Sequence, residues 1–215
     1  MRQWSCRKSK TYAALTLLTL CLISVPAGKS VREYFRLNPL VKAPYQHRSY
    51  GVASAKLWIV GFFGFPCKEC ATGERVIRDL FKRYPDKIYY QMRYGYLNTA
   101  DARSVEACVL AECAASQGKF GPVYDGLVET QSAWSSQANY HQIFSGIVAR
   151  ARLDETALRA CKLNNKAAQT VLAEVAQAKM LDIASVPFFI VDGKRVDSVD
   201  KLTAAVDNYF KGRAS

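Results

Sequence analysis

Apolar residues recur along this chain in two rhythms, and the alternation between them outlines the elements. Ala55–Phe63 is an almost unbroken apolar run, and its length and content predict a central, well-buried strand. After a Gly/Pro break, Val76, Ile77, Leu80, Phe81 and Tyr84 recur at helical spacing, so Cys67–Tyr84 reads as a helix that Pro85 ends. Lys87–Tyr94 is rich in aromatic and β-branched residues and reads as the next strand. Strand, helix and strand in so short a stretch form a βαβ unit, whose strands should be parallel.

The rhythm changes at Asp101. From there to Met180 helical spacing replaces strand spacing: Val105, Cys108, Val109 and Glu112 form one set. Tyr140, Ile143, Phe144, Ile147 and Val148 form a second, and Ala168, Val171, Leu172 and Val175 a third. Asp154 is a good N-cap for a short helix running towards Cys161, while Gly118–Pro122 and Gln131–Ser136 read as connections. β character returns at Val186–Val191, followed by the hairpin signal Asp192-Gly193 and by Lys194–Val196. Ser198 can cap a last helix carrying Leu202, Ala205, Val206, Tyr209 and Phe210. The order is therefore β-α-β, a helical block, then β-β-α, with no internal repeat.

Length fits one domain carrying an insertion, with enough sequence for a core: 215 residues, half of them hydrophobic. The first residues are organised differently. Arg2, Arg7, Lys8 and Lys10 precede the apolar stretch Tyr12–Val25, then Pro26 and Ala27, the layout of a secretory signal peptide over residues 1–27. Its apolar stretch is short beside the roughly 20 residues of a membrane span, so a retained anchor is the second reading. Loss of that segment takes four positive charges from a net +12 and leaves about +8. The remaining basic residues are scattered and belong to no recognisable module, which excludes nucleic acid as the expected partner. Residues 28–50 read as a polar N-terminal arm, with an edge strand around Val31–Phe35.

Export changes how the cysteines are read, because disulfides persist in oxidising compartments. Of seven, Cys6 and Cys21 leave with the presequence, and Cys67, Cys70, Cys108, Cys113 and Cys161 stay. Cys67-Lys-Glu-Cys70 opens the first helix, where unpaired amides and the helix dipole stabilise a thiolate at Cys67. Lys68 should add to that stabilisation and Glu69 should oppose it. The pattern points to thiol–disulfide exchange, with Cys67 as nucleophile and Cys70 as its resolving partner. An inert staple is the plainer reading, but so small a ring constrains little chain entropy. Zinc would need further ligands, and neither His47 nor His141 lies near the motif. Phe62, Phe63, Phe65, Phe188 and Phe189 read as core, with some available for an apolar collar around Cys67.

Three segments resemble the DsbA-type thiol–disulfide oxidoreductases: Ala55–Cys70, Ala111–Phe120 and Ser185–Gly193. The likeness covers roughly residues 51–212. It implies an α/β thioredoxin fold with an all-helical insertion. The first half would span 51–100, the insertion 101–180 and the second half 181–215. It also implies a cis Pro187 against the cysteine pair, with the Val186 backbone open to an extended substrate, where sequence alone would also allow an edge-strand proline. The chain departs from the family in two places: Pro66 precedes Cys67 instead of following it, and the central dipeptide is Lys68-Glu69.

By resemblance the protein is periplasmic and introduces disulfides into reduced or unfolded exported proteins. A quinone-coupled membrane protein of the DsbB or vitamin K epoxide reductase type would reoxidise it. No bound cofactor is required, because the cysteines carry the electrons. A reductase or isomerase of the same fold, or a redox-inactive scaffold of an assembly system, are the alternatives. A structural disulfide could join Cys113 to Cys161, leaving Cys108 as a buried odd thiol, or Cys108 to Cys161 instead.

Overall fold

A computed structural model describes residues 48–65, 67–96, 98 and 100–212. The expected signal segment, most of the arm with its strand at 31–35, His47 and Pro66 lie outside the described residues. Among the described residues five strands form one sheet in the order β1-β3-β2-β4-β5: β1 is Ser49–Gly51, β2 Leu57–Phe63, β3 Ile88–Tyr94, β4 Phe188–Val191 and β5 Lys194–Val196. β2 runs parallel to β3, from Leu57 opposite Ile88 to Phe63 opposite Tyr94. It runs antiparallel to β4, from Ile59 opposite Val191 to Phe62 opposite Phe188. A strand paired on both edges and covered on both faces has to be apolar throughout, which is why the run at 57–63 carries no polar side chain.

The alternation of a strand sorts β2 between two cores. Leu57, Ile59 and Phe63 join the larger one, beneath helix α1 (Lys68–Arg83) and helix α8 (Val199–Lys211). Val60 and Phe62 point the other way, onto Ala178, Leu181 and Ile183. All five phenylalanines of the expected cluster are buried, so they belong to the cores. β2 starts two residues later than the apolar run suggests, because Ala55 closes a turn onto the Val52 carbonyl. At the hairpin both Asp192 (φ 49°) and Gly193 (φ 75°) are left-handed, as a two-residue type I′ turn needs.

Six helices connect β3 to β4: α2 (Ala102–Ser116), α3 (Phe120–Glu129), α4 (Gln131–Ser136), α5 (Tyr140–Ala151), α6 (Glu155–Leu163) and α7 (Lys166–Met180). Asp154 caps α6 by accepting from the Ala157 amide at 2.8 Å. Of the two expected connections, Gly118 and Lys119 do join α2 to α3, but Phe120–Pro122 and all of Gln131–Ser136 are helical. Pro122 sits in the first turn of α3, where no amide donor is needed, so it starts that helix instead of blocking it. The polar stretch Gln131–Ser136 is held as α4 by one residue. Trp134 is fully buried, donates to the Leu127 carbonyl at 2.7 Å and meets Phe144 edge-on.

The helical block is fastened to the sheet by a buried ionic cluster. Arg48 has 0 % exposure and grips Glu174 of α7 through both terminal nitrogens at 2.8 and 2.7 Å. Its Nε lies 3.1 Å from Glu112 of α2, and its guanidinium stacks over the Tyr94 ring. The Tyr94 amide also donates to Glu174, so the last residue of β3 is tied to α7. Within the described residues no helix is long and apolar enough to cross a membrane.

Candidate active site

β2 ends at Phe63, and Gly64-Phe65 turns the chain towards α1. A Cβ at Gly64 would lie 2.9 Å from the Tyr96 carbonyl oxygen, so this close pass between the two strand ends requires glycine. The Cys67 amide closes the turn onto the Gly64 carbonyl at 3.0 Å. That leaves Cys67 at the N-cap of α1 with extended backbone (φ −89°, ψ 110°), its sulfur accepting from the Cys70 amide at 3.0 Å. An N-cap side chain normally offers oxygen to the free amides of the first turn. Here sulfur takes that place, and the same donor and the helix dipole favour its anionic form.

Cys67 and Cys70 are joined as a disulfide with their Cα atoms 5.3 Å apart. The two sulfurs are not equally open. Cys67 is half-buried, whereas Cys70 is only 5 % exposed and sits inside the first turn. The Cys67 sulfur is therefore the more accessible of the two. Lys68 and Glu69 stand exposed beside the pair.

The second half of the sheet supplies the facing wall. The Val186–Pro187 peptide bond is cis, and the Val186 carbonyl oxygen lies 3.5 Å from the Cys67 sulfur. Two glycines make that approach possible. At Gly95, just past β3, a Cβ would fall 2.6 Å from Val186 Cγ1 and 2.8 Å from Phe62 Cβ. At Gly73, on α1, it would fall 3.0 Å from Phe189 Cζ and 3.8 Å from Pro187 Cβ. Cys67, Cys70, Val186 and Pro187 thus meet in one place although 119 residues separate Cys67 from Val186.

The other singled-out residues are elsewhere. Cys113 and Cys161 form a disulfide between α2 and α6. Cys108 is a free, fully buried thiol, and burial pushes it up to about 12, so it stays protonated. His141 is exposed and lies 3.4 Å from Glu106 on the helical block.

Glu74 is the residue that sequence reading passes over. It lies one helical turn beyond Cys70, is only 8 % exposed, and accepts from the Tyr90 hydroxyl at 2.7 Å. Burial pushes its carboxyl up to about 7, against the smaller opposing effects of that hydrogen bond and of Arg78. The available signal was an acid on the same helical face as Ile77 and Phe81.

Comparison with known proteins fits this geometry. A family model described as Thioredoxin matches residues 43–208. The chain is 22 % identical to a thioredoxin-like oxidoreductase of Silicibacter pomeroyi DSS-3, whose structure superposes with a TM-score of 0.60 over 82 % of this chain and 96 % of that one. The thiol-disulfide exchange protein alpha-DsbA2 of Wolbachia pipientis gives a TM-score of 0.65 at 16 % identity, over 85 % of this chain and 98 % of that one. These likenesses show a shared fold, a thioredoxin fold with a helical insertion. Over 154 residues the chain is also 27 % identical to the Na(+)/H(+) antiporter NhaA 1 of Mycobacterium sp. (strain KMS). That match covers 71 % of this chain, which spans about a quarter of the antiporter's length (24 %).

Proposed function

This chain belongs to the thioredoxin family, and on that premise we propose that it is an exported dithiol–disulfide oxidoreductase that oxidises other exported proteins. One observation carries the reading. A half-exposed sulfur at the N-cap of α1 accepts from the Cys70 amide and faces the Val186 carbonyl beside Pro187.

In the oxidising direction, a substrate thiolate attacks the Cys67 sulfur in line with the disulfide. The Cys67–Cys70 bond breaks, Cys70 leaves as a thiolate and takes up a proton, and substrate and Cys67 are joined as a mixed disulfide. A second substrate thiolate then attacks the substrate sulfur of that bond and displaces Cys67 as a thiolate. The substrate loses two electrons and two protons, and the cysteine pair holds the electrons. Stabilising the Cys67 thiolate makes it the better leaving group and favours the reduced protein, which makes the disulfide form an oxidant. The Val186 backbone at the site's rim offers a place for an extended segment of the client.

Export is supported by the basic, then apolar, then small-residue order of positions 1–27, and a periplasmic place of work belongs to the same reading. Continued turnover needs a partner that removes the electrons, and the resemblance names a quinone-coupled membrane protein of the DsbB or vitamin K epoxide reductase type.

The test is the equilibrium potential of the pair against glutathione. An oxidase gives a value near about −120 mV, and a value near about −270 mV transfers the protein to reductive work. In parallel, Cys70→Ser should accumulate a mixed disulfide mapped to Cys67 when mixed with a client activated at its own thiols. Recovery of none removes Cys67 as the exchanging sulfur.

A further inference from the structure

Beside α1, on a different face from Pro187, lies a cavity of about 510 Å³, within the size range of small-molecule sites. The two faces are assigned by neighbouring residues: Gly73 looks onto Phe189, Val199 and Pro187, and Glu74, one position on, looks onto β3 and this cavity. The walls are Tyr50, Ile77, Phe81 and Pro122, two of them aromatic. Glu74 forms part of the lining, and Arg78 and Asp125 form an exposed ion pair on the same opening.

The charges do not balance. Arg78 is committed to Asp125 through a side-chain hydrogen bond. Among the described residues no cation forms an ion pair with Glu74, whose hydrogen-bond donor is the neutral Tyr90 hydroxyl. A carboxylate this deeply desolvated is costly unless it is protonated or meets a positive charge. An anionic ligand would meet Glu74 and Asp125 together, and a purely apolar one would desolvate the carboxylate further. A positive head resolves both, and the Tyr50 and Phe81 rings suit a flat, weakly hydrated cation.

We propose that this cavity is a binding site for a small organic cation, an amidinium, guanidinium or ammonium head on a compact apolar body, with Glu74 as the anchoring carboxylate. The groups facing Glu74 are Arg78 from α1, Tyr50 from β1, Tyr90 from β3, and Tyr124 and Asp125 from α3. All three tyrosines are held above their ordinary range, chiefly by burial, and Arg78 stays charged. Glu74 therefore changes charge near neutrality while the tyrosines stay neutral and Arg78 charged. Binding draws on its ionised form, so affinity falls about tenfold per pH unit below pH 7 and levels off above it.

The probe is benzamidine, titrated into the full oxidised protein and followed by amide chemical shifts, with neutral benzamide as its near-isostere. Saturable shifts at Tyr50, Ile77, Phe81 and Gly121 are expected at pH 8, with benzamide at least about tenfold weaker. Glu74→Gln keeps the acceptor for Tyr90 and should abolish the pH dependence and most of the affinity. Gly121→Leu extends a side chain from the cavity wall beside the Tyr50 hydroxyl and should block binding with Glu74 intact. Equal affinity for benzamide, binding indifferent to pH, or no shifts up to about 10 mM benzamidine would each overturn the proposal. The neutral-probe comparison uses the unaltered protein, so it stands even where a variant folds poorly.

Discussion

Glu74 and Cys70 lie one turn apart on α1 yet answer to opposite demands. Burial covers Cys70 and leaves Cys67 the more open sulfur, as the proposed exchange requires. The same burial raises Glu74 to about 7, which makes it the residue whose ionisation the fold pays for most directly. The sign follows from linkage. The carboxyl holds its proton more tightly in the folded chain than in the unfolded one, so stability is lost as pH rises through the interval from about 4.5 to about 7. Glu74→Gln removes that loss. In urea unfolding without ligand, the variant should gain about 3 kcal/mol on the native protein between pH 4.5 and pH 8. Parallel profiles for the two proteins would show that Glu74 does not carry the raised value. The residues that meet at the candidate site were legible as neighbours: Cys67 and Cys70 from their place at a strand-to-helix junction, Pro187 from the resemblance. Glu74 was not, because nothing in the sequence tells a buried acid on an amphipathic helix from an exposed one.

At the scale of elements, the site is a convergence of one helix start and one turn, and glycines set how closely they meet. Gly95→Ala places a methyl within 2.8 Å of Phe62 Cβ and nearer still to Val186. The turn bearing Val186 and Pro187 must then shift, at a cost of about 1–3 kcal/mol and with slower exchange at Cys67. Gly146→Ala in α5 meets nothing within 4 Å and should be neutral or stabilising by up to about 1 kcal/mol, with exchange unchanged. Thermal unfolding and a client-oxidation assay on the two variants check both, and equal exchange rates would separate Gly95 from the site. Elements with strong local signals were legible: β2, α1, the Asp192-Gly193 hairpin and the Asp154 cap. Helix α4 was not, since its residues are polar and its fold depends on where Trp134 lands, a tertiary contact without local periodicity. Nor was helix α3, whose opening residues read as part of a connection, because a proline marks either a break or a first turn and the sequence allows both.

At the scale of the whole molecule, the helical block is tied to the rest by long-range links. The Arg48–Glu174 pair spans 126 residues of chain, and the Cys113–Cys161 disulfide spans 48. Sequence offered the disulfide as one of two pairings, because cysteines are few enough to enumerate. It offered nothing on Arg48, one of many scattered basic residues. A loop of 48 residues closed by a disulfide is worth about 4 kcal/mol in the chain-entropy account, far more than the four-residue ring at the active site. The double variant Cys113→Ala, Cys161→Ala should lose stability of that order in chemical unfolding and keep exchange at Cys67. A stable double variant, or one that loses exchange while still folded, would contradict that division between a structural and a reactive disulfide.

The division rests in turn on one sulfur, and its acidity is open to direct measurement. The fully reduced protein is alkylated briefly with iodoacetamide across a pH series, and the adducts are mapped by mass spectrometry. Cys67 is expected to react first, with a rate midpoint between about 3.5 and 7.5, and Cys108 to stay unmodified while the protein is folded. A midpoint near about 8.5 at Cys67, or Cys70 reacting ahead of it, would contradict the assignment of Cys67 as an exchange-active thiolate at the head of α1.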